Sequence, residues 1–208
     1  DSRAILLVAH YDSRPRTDLA FDTAFLEMPI DGANDGASGV AVLMELGNLM
    51  AEIRPPCNVE FLLTDAEDWG VSGDRDRYLL GSQHFGRSGI RDRYHFGIVL
   101  DMIGDAEQEI CREAFSDSFF VEINDMIWEV AAELGVVTFI DSVRHGVLDD
   151  HLNLAAAGVP AVVVVDFDYP YWHTEYDTPD KCSPQALENV GVVMTRIVYS
   201  PSLWPGKK

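Results

Sequence analysis

The sequence predicts an α/β fold: a three-layer α/β/α sandwich around a central, mostly parallel mixed sheet. Two observations carry this. Apolar strand-like runs alternate with helical apolar spacing along the chain, and that alternation builds parallel sheets covered on both faces. In addition, 208 residues fit one α/β domain better than two.

The elements follow in order. Residues 4–9, Ala-Ile-Leu-Leu-Val-Ala, read as a buried strand. Residues 13–34 are polar, Pro-containing and aperiodic, so they read as a long loop. Residues 36–50 place Val40, Val42, Leu43, Leu46 and Leu49 at helical spacing. Residues 58–64 are a second strand, followed by a polar loop over 66–80. A third strand spans 94–103, and an amphipathic helix over 119–134 stops at Gly135. The β-branched run 161–165 is bounded by Gly158-Val159-Pro160, and a closing helix covers 184–199. A domain rarely opens directly on a buried strand. The expectation is therefore one domain over residues 1–208 that lacks a segment ahead of Asp1.

Composition limits the partners. Net charge is −20 and the sequence pI about 4.4. Such a surface repels phosphate backbones, which argues against nucleic acid. Solubility accounts for acidity in general, and a cation gathering some of the 35 carboxylates is compatible with it. The three cysteines, Cys57, Cys111 and Cys182, are widely spaced and make neither a zinc-finger nor a redox pair. They leave the compartment open. No apolar run reaches the length of a membrane span, and no signal peptide is visible.

Ligands of parallel sheets bind outside the carboxyl ends of the strands. The polar residues there are His10 and Asp12, then Asp65, Glu67 and Asp68, then Asp101, and His173 a short loop beyond Val165. Each has an ordinary reading when taken singly. A lone His after a strand is more often a structural hydrogen-bonder. Asp35, just before a helix, could be its N-cap. Asp-Ala-Glu-Asp could be a solvated loop. Together, so many acids at one edge repel strongly unless a cation neutralises them. Oxygen and imidazole ligands suit zinc.

The residues also carry a resemblance. His10-Tyr-Asp12-Ser, Gly32-Ala-Asn-Asp35-Gly-Ala-Ser-Gly, Glu67-Asp68, Leu100-Asp101-Met-Ile-Gly104 and Trp172-His173-Thr resemble, in order, the zinc-dependent exopeptidase and glutaminyl cyclase superfamily. These motifs span residues 10 to 174. Its two branches are two-zinc aminopeptidases and one-zinc glutaminyl cyclases. Three features resemble the cyclases, bacterial members included. Trp172 directly precedes His173, a long loop separates Glu67-Asp68 from Leu80-Gly81-Ser82, and Asp149-Asp150-His151 matches a segment whose first acid bonds the acid at Asp101. There are departures as well. The family usually has Glu-Glu where this chain has Glu67-Asp68. The cyclase Trp expected at Gly73 is absent, with Trp69 as its substitute.

The resemblance implies that Asp35, Asp68 and His173 hold one zinc and that Glu67 is the general base and acid. His10, Asp101 and Asp149 form a hydrogen-bonded outer shell. In the aminopeptidase alternative, His10 and Asp101 hold a second zinc that shares Asp35. Asp101 and Asp149 join Glu67 as catalytic candidates. Tyr169, Tyr171 and Trp172, with Trp69, are expected to wall the substrate pocket. The implied substrates are peptide or protein N-termini, and relatives of this kind are often exported to the periplasm or secreted. A non-catalytic binding domain of the same fold is a third reading, which the presence of Glu67 opposes. A serine hydrolase is disfavoured because no Gly-x-Ser-x-Gly elbow is present, and a cysteine hydrolase because no cysteine sits among the polar strand ends.

Overall fold

In the computed structural model, which describes residues 2–71 and 73–206, the chain forms β1 (Ala4–His10), α1 (Ala37–Glu52), β2 (Asn58–Thr64), α2 (Leu80–Gly86), β3 (Tyr94–Asp101), β4 (Ile110–Arg112), α3 (Ala114–Leu134), β5 (Phe139–Val143), α4 (Asp150–Ala156), β6 (Ala161–Val165) and α5 (Pro184–Tyr199). The central sheet has the order β2-β1-β3-β6. Its described strands are all parallel, and β4 and β5 form a separate parallel pair. Antiparallel pairing among the described residues is confined to isolated bridges, Val71 with Asp74 and Asp105 with Cys182.

The unbroken apolar character of β1 has its explanation in the layers. Ile5, Leu7 and Ala9 face one cluster together with Leu43 and Leu46 of α1, Ile127 of α3 and Val193 and Ile197 of α5. Leu6 and Val8 face the opposite cluster with Leu154 of α4, and Phe85 of α2 packs at its margin. Both sets alternate along the strand because successive side chains point to opposite faces. Helices therefore cover both faces, which is the predicted three-layer sandwich. No described helix is long and apolar enough to cross a membrane.

One contact fixes how closely α1 approaches the sheet. A Cβ on Gly39 would lie 2.2 Å from the Leu100 carbonyl oxygen and 3.0 Å from Ala9 Cβ. Gly39→Ala is expected to lower unfolding free energy by about 1–3 kcal/mol, as overpacking does. Gly191→Ala in α5, where no atom lies within 4 Å of the added carbon, is expected to raise it by about 0.5–1 kcal/mol through helix propensity. Urea unfolding of both variants measures the two signs. Equal stability of Gly39→Ala and the parent would refute the close approach.

Candidate metal centre and active site

Parallel strands point their carboxyl ends to one edge, so His10 at the end of β1 and Asp101 at the end of β3 meet there. His10 Nε2 is 3.1 Å from Asp101 Oδ1 and 3.2 Å from Asp35 Oδ1. His173 Nε2 is 3.2 Å from Asp68 Oδ1 and 3.5 Å from Asp35 Oδ2. Two groups result, Asp35-Asp68-His173 and His10-Asp35-Asp101, each with ligand atoms within 4.8 Å of one another and all buried. Asp35 is common to both.

Asp35 does not cap the helix it precedes. The N-cap of α1 is Gly36, and no side chain caps it. Gly36 has φ +92°, and a Cβ there would lie 2.8 Å from His10 Cε1. Only glycine suits both the left-handed backbone and the close imidazole. Three non-glycine residues beside the site also take left-handed φ: Ala66 (55°), Met102 (46°) and His173 (56°). Such backbone costs energy and gathers at functional sites.

Asp12 holds the acidic pair. Its Oδ1 accepts the Glu67 amide at 3.1 Å and its Oδ2 the Asp68 amide at 3.2 Å. Its Oδ1 also lies 3.5 Å from His10 Nδ1. Arg14 is fully buried beneath the pair and donates from Nη1 to the Asp68 carbonyl at 2.6 Å. Its Nη2 donates to the Tyr78 hydroxyl at 3.1 Å.

The electrostatics divide the acids. Burial would raise the Asp68 carboxyl, but His173, then His10 and Arg14, hold it below its usual value. Burial, with the charge of Asp68, raises Asp35 to about 7. Glu67, only 9% exposed, is pushed well above the usual range, first by burial and then by Asp68. Asp149 is pushed the same way by burial and then by Asp101 and Asp150. Burial opposes the His10 imidazolium, yet Asp101, Asp12 and Asp35 raise its pKa well above the ordinary value.

The donor set fits zinc. Asp35 Oδ2, Asp68 Oδ2 and Asp149 Oδ2 are buried with no hydrogen-bond donor. Such atoms are costly unless something positive meets them. Two carboxylates and an imidazole converging on one point are a common zinc ligand chemistry, with a further position left for water or substrate. Asp149 caps α4 by accepting the Asp150 amide, and Asp150 Oδ2 accepts the Thr64 hydroxyl at 2.5 Å.

The expected pocket aromatics separate. Trp172 is half-buried, its ring centroid 4.1 Å from that of His173. Tyr171 is half-buried beside Tyr176, and Trp69 is 53% exposed next to Asp68. Tyr169 is only 3% exposed and its hydroxyl is spent on Asp177 at 2.9 Å, so its ring offers a substrate almost no surface. Position 73, where the resemblance places a Trp, is a glycine with φ +90°, and a Cβ added there would meet no atom within 4 Å. Sequence reasoning missed the roles of Arg14, Asn34 and Asp177, although Asn34 stands inside the Gly32-Ala-Asn-Asp35 motif.

Comparison with known proteins gives one consistent picture. The profile of Peptidase family M28 matches residues 1–198. Aminopeptidase YwaD of Bacillus subtilis is 24% identical over 206 residues, which take in 94% of this chain and 40% of that protein. This chain thus spans well under half the length of that relative. The crystal structure of Bacteroides thetaiotaomicron glutaminyl cyclase bound to N-acetylhistamine superposes with a TM-score of 0.90 at 32% identity, covering 95% of this chain and 73% of that one. A leucine aminopeptidase precursor from the same organism superposes with a TM-score of 0.89 at 32% identity, covering 96% and 72%.

Proposed function

The chain belongs to peptidase family M28, and on that premise we propose that it is a one-zinc glutaminyl-peptide cyclotransferase, which converts N-terminal Gln of peptides to pyroglutamate and releases ammonia. The observation that carries this reading is the Trp172 ring lying against His173, an aromatic wall beside the ligand cluster that suits a small planar side-chain amide.

Asp35, Asp68 and His173 would hold the zinc. There it supplies a Lewis acid for the side-chain carbonyl of the substrate. The buried carboxylate of Glu67 takes a proton from the substrate α-amine, whose nitrogen attacks the side-chain amide carbon. A C–N bond forms to close the lactam. Glu67 returns the proton to the amide nitrogen, the old C–N bond breaks, and ammonia leaves. Asp12 keeps Glu67 and Asp68 in register through their amides. The nucleophile is the substrate's own amine, so no hydroxide has to be generated. His10 and Asp101 then serve by hydrogen bonding.

A second reading, an aminopeptidase hydrolysing the first peptide bond, is favoured by one observation. Asp35 is shared by two ligand groups, the second completed by His10 and Asp101. One assay separates the two. Protein carrying one equivalent of zinc is expected to convert Gln-peptides to pyroglutamyl-peptides with matching ammonia release, and to leave Leu-amide substrates largely intact. Two bound zincs with rapid release of N-terminal Leu would transfer the assignment to the aminopeptidase.

A further inference from the structure

We propose that Asp177 is a positioning residue for the zinc site: its buried carboxylate fixes the backbone of Asp35 and ties that turn to the loop that carries His173. The proposal rests on Asp35, Asp68 and His173 being the zinc ligands.

Asp177 is fully buried. Its Oδ1 accepts the Asn34 amide at 2.9 Å and the Tyr169 hydroxyl at 2.9 Å, and its Oδ2 accepts the Asp35 amide at 3.1 Å. Its own carbonyl accepts the Ala33 amide at 3.3 Å, and its amide donates to the Thr174 carbonyl at 3.3 Å. One residue therefore grips three successive amides of the Asp35 turn while remaining part of the turn that follows His173.

The geometry matters because little else holds Asp35. Its Oδ2 meets no donor, and its Oδ1 faces His10. An aspartate side chain is short, so rotation of its backbone moves the carboxylate directly. The clamp extends to the third loop. Asn34 Oδ1 accepts the Gly104 amide at 2.6 Å, and the Asn34 carbonyl accepts the Ser38 hydroxyl, whose oxygen accepts the Ile103 amide at 3.0 Å. Asp12 treats Glu67 and Asp68 in the same way, one carboxylate oxygen to each of two successive amides. Two turns that carry acidic ligands are thus each gripped by a carboxylate from another loop.

The test is zinc affinity, read by competition with a chromophoric chelator well below the unfolding temperature. Asp177→Asn is nearly isosteric, but it places an NH2 group among the three donors. It is expected to weaken zinc by about 10–100-fold, the usual effect of losing an outer hydrogen-bond partner of a ligand, with near-UV circular dichroism unchanged. A folded Asp177→Asn protein with parental zinc affinity and only a lower Tm would overturn the proposal, since that is the mark of a merely structural role. If Asp177→Asn does not fold, Tyr169→Phe decides. It removes one donor to Oδ1, and weaker zinc binding supports the clamp whereas unchanged binding overturns it. Asp35→Asn in the same assay keeps the two failures apart. If that variant binds zinc as tightly as the parent, the ligand reading itself is wrong and the proposal falls with it.

Discussion

Glu67→Gln is expected to keep the fold and the zinc content while lowering turnover by about 10²–10⁴-fold, the range of a lost general acid–base group. Glutamine has nearly the shape of glutamate and cannot take a proton. The burial and neighbouring charge that raise the Glu67 pKa are what bring a carboxylate toward the operating pH of a proton shuttle. Asp68→Ala provides the contrast. It removes a proposed ligand, so zinc and turnover should be lost together. Metal content by mass spectrometry and turnover on a Gln-peptide read both variants. Near-parental turnover of Glu67→Gln would move the shuttle elsewhere, with Asp149 the next buried acid to examine.

The second large effect lies away from the metal. Glu113→Ala is expected to lower stability by about 2–4 kcal/mol at neutral pH, because it removes the α3 cap and leaves the buried amides it binds without an acceptor. The Glu113 carboxylate is 2% exposed and accepts the amides of Phe115 and Ser116 at 2.9 and 2.7 Å, capping α3. It also accepts the Val147 amide at 3.0 Å and lies 3.3 Å from His151 Nε2. Burial alone would raise its pKa, but His151 and these amides hold it down to about 2, against an ordinary 4.5. A depressed carboxylate pKa stabilises the fold at pH above its unfolded value and loses that contribution as pH falls through the folded one. The parent should therefore lose part of its stability between about pH 4.5 and 2 on this account, and Glu113→Ala should lose less over the same range. Denaturant titrations of both proteins across that range measure the difference. Parallel pH profiles would show that Glu113 does not carry the linkage.

The fold was legible where periodicity is strong. The runs 58–64, 161–165 and 184–199 coincide with β2, β6 and α5. The helix read from residue 119 begins at Ala114, because Phe120 leaves helical geometry (φ −139°, ψ 46°) and interrupts the pattern. α2 and α4 have seven residues each, too few to display an apolar stripe, and β4 has three. The site divides along a different line. His10, Asp68, Asp101 and His173 could be read because acids and histidines follow apolar strands, and the topology sends those ends to one edge, whereas Asp35, just ahead of α1, was found only through the family resemblance. Asp177 and Asn34 act largely on backbone amides, and such partners leave no mark in the order of side chains; Arg14 reaches the Asp68 carbonyl and the Tyr78 hydroxyl across more than fifty residues of sequence, which is no more visible. Tyr169 looked like pocket wall because its neighbours are aromatic, yet its hydroxyl faces inward to Asp177.

The strand order has a consequence for how a newly made chain comes to hold metal. Among the described strands β6 pairs with β3 alone in the central sheet, and His173 lies beyond β6. A ribosome that has delivered β1, β2 and β3 has already released His10, Asp35, Glu67, Asp68 and Asp101, but not the imidazole that pairs with Asp68 nor the Asp177 side chain that grips the Asp35 turn. During that interval the acids have to be protonated, held apart in solvent, or met by a passing cation, because gathering them uncompensated is unfavourable. The ligand cluster is thus closed only after β6 and the loop beyond it have been made. It is assembled from contacts distant in sequence, the kind that form late and leave unfinished surfaces exposed in the meantime.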